Sequence, residues 1–347
     1  MKTTLGQLGE RGLIALLKRR LPRGRGVRVG IGDDCAAVRI GRTTGDERLL
    51  LLKTDAVVEG VHFDRRATPF QIGWKAMARP LSDFAAMAGQ PRWALVTAAL
   101  RGDMPVQFVR EIYRGLAAAA GQFGVAIVGG ETVRTPDRFW LSIALTGEVE
   151  SAAMRLRSGA RPGDAIFVTG TLGGSIAGKH LTFTPRIAEA QWLAKRDFVR
   201  AMIDISDGLA RDLGHLCRES GVGARLKAPA IPIASAARGS LPRALGDGED
   251  YELLFTAPAA ATQRLQAAWR RKFPRLPLTQ IGVIVRGRGI MLADEQGETR
   301  SLGEAGYDHF QKERKRNAKS QRTQGTCKTS AVLRVLCASA LKLRDSR

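Results

Sequence analysis

Between Arg48 and Val149, apolar runs of strand length alternate with longer stretches of helical period, and this alternation confines the chain to α/β folds in which sheets are flanked by helices. Leu49 to Leu52 lead directly into Lys53, Thr54 and Asp55, which predicts a strand over Arg48–Val58 with a polar cluster at its carboxyl end. A helix is expected within 68–89, then a strand at 93–100, a helix within 105–124 and strands at 125–130 and 138–149. An amphipathic helix is expected before them at the N-terminus.

RSGARPGD, residues 157–164, has the glycine, proline and charge of a linker. A second alternation follows it, with strands expected at 165–170, 201–206, 223–228, 251–257 and 279–285, and helices at 187–199, 209–220 and 259–272. The expected organisation is one domain over residues 1–150, a second over 151–310 and a tail over 311–347. A chain of 347 residues, 44% hydrophobic and 25% charged, has material for two cores of ordinary size.

The apolar runs fall short of the roughly 20 residues that span a bilayer, and the first residues carry charge where a secretory leader is apolar, so a cytoplasmic protein is expected. Cys35, Cys217, Cys327 and Cys337 show no CxxC pair, which argues against a disulfide framework or a zinc site. The net charge of +22 suggests nucleic acid until it is located: residues 311–347 hold 11 Lys/Arg against 2 Asp/Glu. Elsewhere the basic residues are scattered and only 6% of the chain is aromatic, poor material for stacking bases. The tail reads as disordered, and nucleic-acid binding is expected, if anywhere, only there.

Asp33 and Asp34 stand side by side in GIGDDCAAV. Adjacent carboxylates repel, and burying either as an ion costs several kcal/mol unless a cation compensates. The pattern recurs: Asp55 follows Thr54, Asp83 follows Ser82, Glu131 follows Gly129-Gly130, and Asp204 and Asp207 flank Ser206. Asp204 and Ser206, two apart on an expected strand, should face the same way. Oxygen donors without His or Cys suit a hard ion, Mg²⁺ above all, and Mg²⁺ commonly bridges substrate phosphates. A nucleoside triphosphate is therefore expected. GGSIAGKH, residues 173–180, nearly spells a P-loop, but His180 stands where the metal-binding hydroxyl belongs, so a plain loop at a helix start is expected.

GIGDDCA, TDAVVEGVHF, LSDFAAMAG, GGET, RSGARPGD, IDISDGLARDLGH, GEDYELLF and GYDHF occur in the order seen in bacterial thiamine-monophosphate kinases, and the chain resembles that family from about Leu5 to Phe310. GDD and SDG are shared with the wider superfamily of aminoimidazole ribonucleotide synthetase, selenophosphate synthetase and hydrogenase-maturation proteins. The resemblance implies the two-domain aminoimidazole ribonucleotide synthetase-like fold, with mixed sheets flanked by helices, in a homodimer joined through its N-terminal domains. It implies ATP-dependent phosphorylation of thiamine monophosphate to thiamine diphosphate. Asp34, Asp55, Asp83, Glu131, Asp204 and Asp207 would hold several Mg²⁺ ions, with Asp33 and Thr54 close by. Thr54, Tyr113, Gly130, Glu131, Arg157 and Ser206 would contact ATP, and His62, Glu249 and Tyr307 the acceptor. Asp34, Asp55, Asp83, Arg157 and Asp207 would carry catalysis.

Two departures stand out: Glu131 where the family usually has Asp, and Lys53 where it often has Ser or Thr. They motivate an alternative, a nucleotide-binding relative without turnover. Another ATP-using synthetase of the superfamily is the rival enzyme.

Overall fold

The structure, a computed structural model, describes residues 4–21, 24–39, 48–196, 198–303, 306–307 and 309–310. The tail expected over 311–347, with Cys327 and Cys337, lies outside the described residues, as does Asp308 of the GYDHF motif.

The N-terminal helix α1 (Leu5–Arg20) is broken at Gly9. Two short strands, β1 (Val27–Val29) and β2 (Ala36–Val38), bracket the Asp33-Asp34 turn, and β3 (Arg48–Val58) follows. The N-terminal half continues through α2 (Pro69–Ala86), β4 (Gln90–Leu100), α3 (Val106–Gln122), β5 (Ala126–Arg134) and β6 (Trp140–Glu150). Its six strands form one sheet in the order β1-β2-β3-β6-β4-β5, with only the β4–β5 pair parallel. A reciprocal cap starts α2: Thr68 Oγ1 accepts from Gln71 N, and Gln71 Oε1 accepts from Thr68 N. α2 and α3 touch backbone to backbone, because a side chain at Gly73 would strike the Ile112 carbonyl and one at Gly115 the Phe70 carbonyl. That close pairing presses both helices onto one face of the sheet.

The second half holds β7 (Ala165–Thr169), α4 (Ile187–Lys195), β8 (Ala201–Asp204), α5 (Leu209–Ser220), β9 (Gly223–Lys227) and α6 (Leu241–Gly246). After these come β10 (Leu253–Ala257), α7 (Thr262–Lys272), β11 (Leu278–Val285), β12 (Gly289–Ala293) and β13 (Thr299–Leu302). Seven strands form a second mixed sheet, β13-β12-β9-β11-β7-β10-β8, in which β9 and β12 are parallel. All residues of β7 and β10 are buried, as in strands covered on both faces. The expected fold class, mixed sheets flanked by helices, is the one observed.

Three boundaries differ from expectation in ways that bear on the site. β5 runs on through Glu131 to Arg134, paired with β4. β8 stops at Asp204, so Ser206 lies in the turn before α5 and is not on a strand beside Asp204. β10 begins at Leu253, which leaves Glu249 and Tyr251 in a loop with φ of 55° and 51°, left-handed values that non-glycine residues rarely adopt.

Candidate active site

Three carboxylates from distant segments meet where α2 passes the end of β8. Oxygens of Asp34, Asp83 and Asp204, all buried, lie within 4.8 Å of one another. Each is fixed from a different side. The Arg157 guanidinium grips Asp34 with Nη2 at 2.7 Å and Nε at 3.3 Å. Ser82 Oγ donates to Asp204 Oδ2 at 2.6 Å, and Lys53 Nζ lies 2.9 Å from Asp83 Oδ1. Asp55 shares a face of β3 with Lys53, whose Nζ is 3.8 Å away. Asp33 accepts from the backbone amides of Asp34 and Arg157.

The electrostatics show a cluster short of positive charge. Burial, reinforced by Asp34, pushes Asp33 and Asp204 each up to about 7. Asp83 is raised well above the usual carboxylate range, by burial first and then by Asp55, Asp204 and Asp34, against the opposing pull of Lys53. Burial would raise Asp55 as well, but Lys53 and Arg79 outweigh it and its carboxyl is lowered. Among the described residues, five carboxylates are thus approached by three cationic side chains, Lys53, Arg79 and Arg157. Hard oxygen donors with an uncompensated negative charge fit Mg²⁺, the ion expected from the sequence.

Beside this cluster opens a cavity of about 480 Å³. His62, Ser206, Asp207, Glu249 and Tyr307 all line it, so the three expected acceptor contacts converge. Asp207 stands 3.4 Å from Arg211, and Asp212 Oδ2 accepts from the amides of Asp207 and Gly208, which fixes the turn into α5. His62 Nδ1 accepts from Val58 N at 3.0 Å and is therefore unprotonated. Burial, with Arg79 acting alongside it, lowers His62 to about 3. Glu249 accepts at 2.7 and 2.9 Å from Lys75 Nζ, and His180 Nδ1 lies 2.9 Å from the same carboxylate. Burial would raise Glu249, yet His180 and Lys75 hold it down to about 2.

The remaining expected residues are not at the cluster in this chain. Thr54 points to the opposite face of β3 from Lys53 and Asp55, and its Oγ1 lies 3.2 Å from Ser142 Oγ. Register places Ser142, Thr97 and Glu131 in one row across β6, β4 and β5, so Glu131 shares that uncovered face and is exposed. Gly130 sits against β4 so closely that a side chain would strike the Val96 backbone. Tyr113 is on α3, over a shallow depression with Leu100, Met104 and Val109. The near P-loop binds differently from a phosphate cradle: Gly173 N donates to both Asp250 carboxylate oxygens and Gly174 N to Asp247.

Sequence reasoning missed Lys75, Arg79 and Tyr251, and dismissed His180 along with the P-loop. Lys75, Arg79, Ser82 and Asp83 fall at i, i+4, i+7 and i+8 of α2, a single stripe, and that spacing was a usable signal.

Residues 32–149 match the family model of AIR synthase related protein, N-terminal domain, and residues 161–295 that of AIR synthase related protein, C-terminal domain. The chain is 38% identical over 294 residues to the thiamine-monophosphate kinase of Rhodopirellula baltica, covering 81% of this chain and 91% of that one. With the thiamine-monophosphate kinase of Aquifex aeolicus it shares 34% identity over 334 residues, 88% of this chain and 99% of the other. A solved complex of AaThiL with AMPPCP and TMP superposes with a TM-score of 0.75 at 33% identity, covering 89% of this chain and 99% of that chain. With both halves matched and whole-length relatives above 30% identity, the chain belongs to the thiamine-monophosphate kinase family.

Proposed function

We propose that this chain transfers the γ-phosphoryl group of ATP to thiamine monophosphate, giving thiamine diphosphate and ADP. The observation that carries the reading is the convergence of Asp34, Asp83 and Asp204 beside a cavity lined by His62, Glu249 and Tyr307.

The acceptor is a phosphate monoester with a second pKa near ~6, so at neutral pH it is largely dianionic and needs no strong general base. An acceptor oxygen forms the new bond to the γ-phosphorus while the bond to the β,γ-bridging oxygen breaks and ADP leaves. Repulsion is the obstacle: two unit charges 4 Å apart cost about 4 kcal/mol at an effective dielectric constant of about 20. Asp34, Asp83 and Asp204, with Asp33, Asp55 and Asp207 close by, would hold Mg²⁺, which when bound supplies positive charge to the phosphates. Arg157 fixes Asp34 for that task and can offer its remaining N–H donors to an ATP phosphate. Ser206, Asp207, His62 and Tyr307 shape the acceptor side, and Glu249, kept ionised by Lys75 and His180, offers a negative charge to the cationic thiazolium.

The uncovered face of the first sheet supports a homodimer. Leu52, Trp93 and Leu95 are 37, 51 and 48% exposed on the same face as Thr54 and Glu131. A second copy would bury that apolar row and bring Thr54, Gly130 and Glu131 into an interface, where they can meet nucleotide or metal. No helix among the described residues is long and apolar enough to cross a membrane, and a cytoplasmic location fits a biosynthetic kinase.

Incubating the purified protein with ATP, Mg²⁺ and thiamine monophosphate should yield thiamine diphosphate and ADP in equal amounts. ADP without thiamine diphosphate, or neither product from folded protein, would contradict the assignment.

A further inference from the structure

Arg79 lies on α2 between Lys75 and the Ser82-Asp83 pair and lines the 480 Å³ cavity. Its side chain is only 15% exposed. Nε and Nη1 are both buried, and neither donates to any acceptor among the described residues. The Asp55 carboxylate is nearby, but its Oδ2 is 3.9 Å from Nε, beyond hydrogen-bond reach. A guanidinium cannot shed its proton to relieve this, so two charged donors are left buried and unmatched. Such an arrangement costs stability unless a shift of the side chain brings these donors to an acceptor in the cavity it lines.

The neighbouring cations are already committed. Arg66, the other arginine lining the cavity, is held by Asp64 through Nε and Nη2, and Lys75 is bound to Glu249. The carboxylates of Asp207 and Glu249 at the cavity are paired as well, with Arg211 and Lys75. Among the described residues Arg79 is therefore the side chain that can draw an anion in, since it lines the cavity with Glu249 and Tyr251 and lies close to Asp55 of the acidic cluster.

We propose that Arg79 anchors the phosphate of the acceptor, with its guanidinium donating to the phosphate oxygens so that one of them faces the acidic cluster as the attacking atom. This rests on the phosphotransferase reading of the same site. It assigns to Arg79 the discrimination between a phosphorylated acceptor and the free alcohol: the guanidinium recognises the phosphate, and the rest of the cavity recognises the ring system. The simpler role, a counter-charge for Asp55, predicts no such discrimination.

The test is calorimetric titration of the full chain, in Mg²⁺ and without nucleotide, with thiamine monophosphate and separately with thiamine. Wild type should prefer thiamine monophosphate at least tenfold. Arg79→Gln should lose that preference, with thiamine monophosphate weakened at least tenfold and thiamine within twofold of wild type, the latter also showing that the variant is folded. Arg79→Lys, which keeps the charge but not the fork, should fall between the two and decides the matter if Arg79→Gln does not fold. Equal binding of thiamine monophosphate by wild type and variant, or a proportionate loss of both ligands in Arg79→Gln and Arg79→Lys, overturns the anchor alone, provided wild type phosphorylates thiamine monophosphate. A wild type that neither binds nor phosphorylates thiamine monophosphate overturns the anchor and the phosphotransferase reading together.

Discussion

The ammonium of Lys53 on β3 sits 2.9 Å from Oδ1 of Asp83 on α2, inside the group of carboxylates that would hold metal. Burial would lower its pKa, but Asp55 and Asp83 outweigh burial and raise it, so Lys53 stays charged. It acts as a resident cation that offsets part of the carboxylate repulsion when no divalent ion is bound. Replacing it by Met leaves the repulsion exposed, and breaking such a partly buried pair costs on the order of 2 kcal/mol or more. Lys53→Met should therefore melt at a lower temperature than wild type in EDTA and recover most of the loss in Mg²⁺. Equal melting shifts in the two media would show that Lys53 is not the cluster's counter-ion.

Asp83 is the carboxylate that faces Lys53, Asp34 and Asp204 at once. Asp83→Asn keeps the size of the side chain and removes its capacity to hold a metal ion as a carboxylate. Thiamine diphosphate formation should fall to background while unfolding stays cooperative, with Tm within about 5 °C of wild type. Wild-type turnover in this variant would remove Asp83 from the reaction.

His62 offers a pH test with a definite sign. Its folded pKa is lowered, mainly by burial, to about 3, while the unfolded chain takes up a proton near the ordinary value of about 6.5. The folded state thus binds fewer protons in this window, so the stability linked to neutral His62 is fully present above 6.5 and is lost as pH falls toward 3. An imidazole NMR titration should show no protonation of His62 between pH 7 and 5. A midpoint near 6.5 would mean that the Val58 hydrogen bond does not hold the ring neutral.

The exposed row of Leu52, Trp93 and Leu95 should be an interface between copies. A charge on it, Leu95→Glu, should shift sedimentation from dimer to monomer, and nucleotide binding should weaken at the same time if Thr54 and Glu131 work from that face. A wild type that is monomeric at every accessible concentration would contradict the interface.

The parts of this site that were legible in the sequence share one physical signature. Asp83 and Asp204 each follow a small or apolar neighbour, and Asp34 stands just before the apolar run Cys35–Val38, so each carboxylate is delivered by a buried segment to a common edge. The faces of the first sheet were harder to read. A period of two separates Thr54 from Lys53 and Asp55, but the uncovered side is revealed only by register, which aligns Thr54 with Ala144 and Leu95. Lys75 and Arg79 went unnoticed because basic residues on a helix normally face solvent, and their burial depends on Glu249 and Asp55 arriving from elsewhere in the fold. β1 and β2, with three residues each, are too short to show a period, and the charge around β12 and β13 hides theirs.

If the acidic cluster and the adjacent cavity form one site, the γ-phosphoryl group passes directly to the acceptor. Thiamine monophosphate and ATP labelled in the γ-phosphate, followed by ³¹P NMR, test it most directly. The label should move wholly into the terminal phosphate of thiamine diphosphate in wild type and not at all in Asp83→Asn. Label released as inorganic phosphate, or transferred equally well by the variant, would contradict it.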